Sequence, residues 1–124
     1  MNIEALREYC LSVKGSSESA PFFRDNVVVF KVMDKMFALL ALEPKDGRFC
    51  VSLKCHPERS VELRERYAGI TQTMHKTLLW NDVYLESDVP DELIQELIDH
   101  SVAEALRNLP KSKQEAYKRF LREN

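Results

Sequence analysis

Val27-Val28-Val29-Phe30-Lys31-Val32, Met36-Phe37-Ala38-Leu39-Leu40-Ala41-Leu42, Phe49-Cys50-Val51-Ser52-Leu53-Lys54 and Trp80-Asn81-Asp82-Val83-Tyr84-Leu85 follow one another between two helical ends. Each run is rich in β-branched and aromatic residues, and turn residues bound it, which is how strands read in a sequence. Val28, Phe30 and Val32 alternate onto one face, with a turn expected at Asp34-Lys35. Val27 and Val29 make the other face apolar too, so these strands should lie centrally, with helices on one face and another covering element on the other. Glu43-Pro44-Lys45-Asp46-Gly47 reads as the turn into the third strand, giving a three-stranded antiparallel meander. In the fourth strand, Leu79 to Glu86, Trp80 and Tyr84 share one face and Leu79, Val83 and Leu85 the other.

Helices are expected on either side of this block. Ile3, Leu6, Cys10 and Val13 recur at helical steps, with Asn2 as N-cap, an end near Lys14 and Gly15 as the stop. Ser16 to Asn26 reads as a polar loop, pinned to the core by Phe22 and Phe23. Pro57 after His56 starts a second helix running to about Ala68, and Gly69 ends it. Thr71 to Thr77 reads as a loop or a short edge strand. Asp88 and Pro90 open a long helix with an apolar stripe from Leu93 to Leu109. A last helix is expected with Ser112 and Glu115 as a capping box and Tyr117, Phe120 and Leu121 inward. The order is α-β-β-β-α-β-α-α: an α+β protein, a two-layer α/β sandwich with a mainly antiparallel sheet, in one domain over residues 1–124.

At 124 residues, 44% hydrophobic and 31% charged, the chain can bury a core without metal or disulfide. It has no apolar run approaching the roughly 20 residues of a membrane span. Glu4, Arg7 and Glu8 break up any signal-peptide core. Cys10, Cys50 and Cys55 show no paired spacing, as expected of reduced thiols in the cytoplasm. The net charge of −2 excludes a uniformly basic nucleic-acid surface. It conceals an asymmetry, however: residues 110–124 carry +3 and the remainder −5. A basic terminal helix of this kind suits phosphate or an acidic partner, although a solvated face is the commoner meaning.

The joints Phe30-Lys31-Val32, Met36-Phe37-Ala38-Leu39, Val51-Ser52-Leu53-Lys54 with Pro57-Glu58, Trp80-Asn81-Asp82-Val83-Tyr84-Leu85, Pro90-Asp91-Glu92-Leu93 and Leu109-Pro110-Lys111 resemble, in order and spacing, the MmcQ/YjbR family of small bacterial proteins. The resemblance spans nearly the whole chain. It implies a CyaY-like (frataxin-type) arrangement and DNA binding, the label this family commonly carries. One segment departs from the pattern. The family reads His-x-Asn-Lys-x-x-Trp, whereas here Met74-His75-Lys76-Thr77-Leu78-Leu79-Trp80 displaces the histidine and lysine and lacks the Asn-Lys pair.

No constellation amounts to a catalytic site, and neither an enzyme nor a cofactor is expected. Cys50, Cys55, His56 and His75 lack the paired spacing of a zinc site, and Cys55-His56 are neighbours whose side chains diverge rather than a catalytic dyad. Gly15, Gly47 and Gly69 are isolated, so there is no phosphate loop. His100 reads as a residue of the polar helix face. The cations available for phosphate are Lys31, Lys54, Arg59 and Lys76, with His75 and Trp80 as neighbours. The expectation is therefore a double-stranded DNA-binding protein with a modest basic patch. The alternative is a protein-interaction or chaperone-like adaptor, with a protein partner or a homodimer formed at a strand edge or through Phe22 and Phe23. No membrane partner is expected.

Overall fold

A computed structural model describes residues 1–20, 26–73 and 79–123. Four helices and six strands follow one another: α1 (Ile3–Ser12), β1 (Ser16–Ser19), β2 (Val27–Val32), β3 (Lys35–Ala41), β4 (Cys50–Lys54), α2 (Pro57–Arg66), β5 (Ile70–Gln72), β6 (Trp80–Tyr84), α3 (Asp91–Arg107) and α4 (Lys111–Glu123). The strands form one antiparallel sheet in the order β1-β2-β3-β4-β6-β5. This is the expected α+β class, with two strands added at the edges. α1 lies against β1, α3 crosses β2, β3 and β4, and α2 lies against β5.

The core lies between these helices and one sheet face. Phe30, Val32, Leu40, Val51, Leu53, Ile70 and Val83 meet Leu6 and Cys10 of α1, Leu63 of α2, and Ile94, Leu97 and Ile98 of α3. One irregularity sets the faces. β2 and β3 pair Phe30 with Ala38 but Lys31 with Met36, so Phe37 is the extra residue of a β-bulge. The bulge lets Phe37 and Ala38, consecutive residues, both turn inward, and both are fully buried, with the Phe37 ring 6.4 Å from that of Phe30. The remaining residues keep the alternation. Val27, Val29, Lys31, Met36, Leu39, Ser52, Lys54, Trp80, Asp82 and Tyr84 thus share the face on which none of the four helices packs.

Several local expectations shift. Asn2 caps α1 through its side chain, but the helix ends at Ser12 rather than Lys14. The β2–β3 turn is Met33-Asp34, one residue earlier than expected, and both residues have positive φ (51° and 63°). That is the geometry of a two-residue hairpin, normally signalled by Asn-Gly, and methionine gives no such signal. The segment read as a loop after Gly15 contains β1, a polar edge strand whose Ser17 pairs with Lys31. Its Glu18 turns to the helical side, where Arg7 of α1 holds it by two hydrogen bonds of 2.8 and 2.5 Å. β5 is the short edge strand allowed for after Gly69. β4 begins at Cys50, α2 ends at Arg66, and α3 spans Asp91–Arg107 with Pro90 as its N-cap.

Asp88 does not cap α3. Its carboxylate accepts from the backbone N–H groups of Ala68 and Gly69, both at 2.8 Å. Ser112 and Glu115 form no capping box, because α4 already begins at Lys111. Gln114 instead caps the preceding helix, donating to the carbonyls of Leu109 (2.8 Å) and Arg107 (3.2 Å). Phe22 and Phe23 lie outside the described residues.

Candidate nucleic-acid interface

The strand registers bring three of the six sequence-selected residues together. Lys54 and Trp80 are direct cross-strand partners on β4 and β6, and Lys31 is paired with Met36 on β2 and β3. All lie on the face without helices and at the same end of the sheet. Cross-strand partners stand about 5 Å apart at Cβ, so Lys54 and Trp80 form one composite surface. Lys31 and Lys54 are half-buried, and neither makes an ion pair among the described residues.

Arg59 does not join them. It is the third residue of α2, in the helical layer, and is paired with Glu96 of α3. Its charge is thereby largely spent within the fold. His75 and Lys76 fall outside the described residues.

Behind this row the same face carries a polar cluster that sequence reading missed. The Asp82 carboxylate, nearly buried in mid-strand on β6, accepts hydrogen bonds from Ser52 Oγ (2.6 Å) and Thr73 Oγ1 (2.8 Å). Lys45 of the β3–β4 connection reaches it at 3.9 Å. That connection doubles back through an antiparallel Lys45–Arg48 bridge, with Asp46 and Gly47 both at positive φ, which brings the lysine over the sheet. These groups satisfy the carboxylate and partly offset its charge. The only sequence signal was the alternation of Trp80, Asp82 and Tyr84, which puts an acid between two aromatics. The partners come from three other segments.

On the helical side, His100 is not a simple polar-face residue. Its Nε2 accepts the backbone N–H of His56 at 3.1 Å and lies 3.7 Å from Glu104. Burial, helped by the nearby positive Arg59, lowers its pKa. The neutral ring that results is the form able to accept that bond. His56 in turn caps α2, its Nδ1 accepting from Glu58 N–H. Glu104 is buried and paired with Arg107 at 2.7 Å.

The cysteines sit apart: Cys50 on the helix-free face, Cys55 in the core on the other side, and Cys10 on α1. Burial pushes the Cys10 thiol up to about 12 and Cys50 to about 11, the latter aided by the negative charge of Asp82. Burial also raises Cys55. Thiolates are the reactive form. At pH 8 the folded protein is therefore expected to show no fast reaction with an aromatic disulfide reagent, and three thiols should react once guanidinium unfolds it. A stoichiometric fast phase in the folded protein would contradict this burial.

Comparison with known proteins agrees with the fold. The family model for YjbR matches residues 11–102. The chain is 32% identical over 115 residues to the uncharacterized protein YjbR of Escherichia coli K12, covering 91% of this chain and 94% of that protein. Among solved structures it is similar to the Deinococcus radiodurans protein DR2400, a DUF419-domain protein. That match has a TM-score of 0.82 at 32% identity, over 93% of this chain and 86% of the other. A crystal structure of a Pseudomonas syringae protein superposes with a TM-score of 0.74 at 24% identity, over 85% of this chain and 99% of the other, and so speaks to fold alone. With the family model covering most of its length and a relative of this identity matched nearly end to end, the chain belongs to the YjbR family.

Proposed function

We propose that the helix-free face of the sheet is a non-enzymatic nucleic-acid-binding platform, with Lys31 and Lys54 contacting phosphates and Trp80 beside them. The observation that supports this reading is the shared row: two cations without ion-pair partners among the described residues and a half-buried indole, all on one face at one end of the sheet. A sheet face offers phosphate contacts without a recognition helix, so binding would be modest, salt-dependent and weakly selective for sequence. Trp80 and Tyr84, two strand positions on either side of Asp82, also suit stacking by unpaired bases, a mode that sheet surfaces use for single strands.

The test is fluorescence anisotropy with a labelled 20-base-pair DNA duplex and the corresponding single strand, titrated at several salt concentrations. Wild-type protein is expected to bind at micromolar concentration. The double variant Lys31→Glu/Lys54→Glu should bind at least tenfold more weakly, with a salt dependence shallower by about two counterions. Both side chains are half-buried, and a melting temperature close to wild type would show that the double variant keeps the fold. Unchanged affinity in the folded double variant would remove this face from consideration. Tryptophan substitution separates the two ligands: Trp80→Ala should weaken single-strand binding by about 1–3 kcal/mol and leave duplex binding little changed.

A further inference from the structure

The last helix presents a second surface. α4 is fastened to the body through its inner side. Gln114 caps α3, and Tyr117, buried against the core, donates its hydroxyl to the Lys14 carbonyl at 2.6 Å and stacks on Phe120 at 6.1 Å. Past that anchor Phe120 and Leu121 are 38% and 40% exposed; among the described residues Val61 is the only other large apolar side chain so exposed. Leu121 does not project from a convex surface. It lines a trough of about 370 Å³ between α3 and α4, with Ala103, Leu106 and Tyr117 as its floor and Arg107 and Lys118 on its two rims. From Lys118 the surface continues over Arg119 and Arg122, which with Glu115 line an adjoining hollow of about 360 Å³, three cations to one carboxylate. Residues 110–124 carry +3 in a chain that is otherwise −5.

We propose that this trough docks an acidic amphipathic helical segment of a partner protein. The floor would take apolar side chains at i, i+3/i+4 and i+7 of such a segment, and Lys118, with Arg119 and Arg122 beyond it, would take its Asp and Glu residues, Arg107 being already paired with Glu104. Three other occupants fit less well. A lipid surface is met by apolar side chains that project outward, whereas these line a concavity. Phosphate backbones need the cations but leave an apolar floor unused. A two-fold pair of copies would bring this predominantly cationic patch against the same patch of its partner.

The experiment is selection of a phage-displayed library of random 16-residue peptides on the folded protein, followed by affinity measurement on synthesised winners. Enriched peptides are expected to be net acidic, with Leu, Ile or Phe at three- and four-residue spacing. Their dissociation constants should rise at least tenfold for Leu121→Glu and for Lys118→Glu, and stay unchanged for Val61→Glu, a control on the distant helix α2. All three positions are exposed, and matching melting temperatures would show that the fold is kept. Selection yielding no acidic-apolar pattern would overturn the proposal, as would winners indifferent to Leu121→Glu. So would partition of the wild type onto phosphatidylglycerol vesicles through Leu121, or a concentration-dependent dimer that Leu121→Glu abolishes. In each of those last two cases the trough belongs to a different occupant.

Discussion

Replacing Ser101 by alanine is expected to destabilise the protein by about 2–5 kcal/mol, a large part of the roughly 5–15 kcal/mol that holds a typical domain folded. Ser101 is fully buried in the middle of α3. Its hydroxyl donates to the Phe37 carbonyl at 2.5 Å and accepts from the Lys54 N–H at 2.9 Å. These two backbone groups sit where the β3–β4 ladder stops. The last paired residues are Ala38 and Leu53, and the bulge at Phe37 carries the strand away from its neighbour. The serine spans that gap, so a helix side chain completes the hydrogen bonding that the bulge interrupts. Alanine would leave a buried donor and a buried acceptor unpaired at once. The effect should appear as a fall in the urea midpoint and, more specifically, as lost hydrogen-exchange protection at the Lys54 amide. Near wild-type stability with a protected Lys54 amide would show that another group or a water takes the hydroxyl's place. Because Lys54 belongs to the proposed binding row, weaker nucleic-acid binding in a still-folded Ser101 variant is also expected.

The second large effect is expected from Gly69→Ala. In sequence this glycine reads as a helix stop, yet the structure gives it a different necessity. A β-carbon there would stand 2.3 Å from Ser87 Oγ and 2.8 Å from Asp88 Oδ1. The nearer atom is a short side chain, but its hydroxyl is already committed, donating to the Tyr84 carbonyl at 2.8 Å. Asp88 in turn holds the N–H groups of Ala68 and Gly69. Methyl insertion must break this clamp, which ties the α2–β5 junction to the segment entering α3. A loss of about 2–3 kcal/mol is expected from overpacking with the broken hydrogen bonds, or several degrees in melting temperature. Asp88→Ala should reproduce part of this loss without the steric conflict. If Gly69→Ala melts like the wild type, the close approach of Ser87 and Asp88 is not a feature of the folded protein in solution.

The central strands could be read directly because they depend on local pattern. Val27–Val32, Met36–Leu42 and Trp80–Leu85 carry β-branched and aromatic side chains that suit a pleated, half-buried surface wherever it forms. Asn2, Pro57 and the stripe of α3 likewise announce their helices through chemistry within one or two turns. The alternation also sufficed to put Trp80 and Tyr84 on a common face. The family resemblance carried by the strand joints pointed to a chain of this kind, and the match over residues 11–102 agrees with it.

What the residues could not announce is whatever depends on a partner far along the chain. Ser16–Ser19 has no apolar residue, so only the unpaired edge of β2 makes it a strand. The Phe37 bulge is completed by Ser101, 64 residues away, whose hydroxyl bonds the Phe37 carbonyl, and the bulge decides which of Met36, Phe37 and Ala38 face the core. Arg59 read as one of four equivalent cations until α3 placed Glu96 beside it, whereas Lys31 and Lys54 acquired a common face only through strand register. The four helices and the four central strands were legible in the residues, in their order, since propensity and periodicity act over a few residues. The tertiary structure alone decided which charges are spent within the fold and which face outward, because electrostatic and hydrogen-bond pairing act across space between segments the chain keeps far apart.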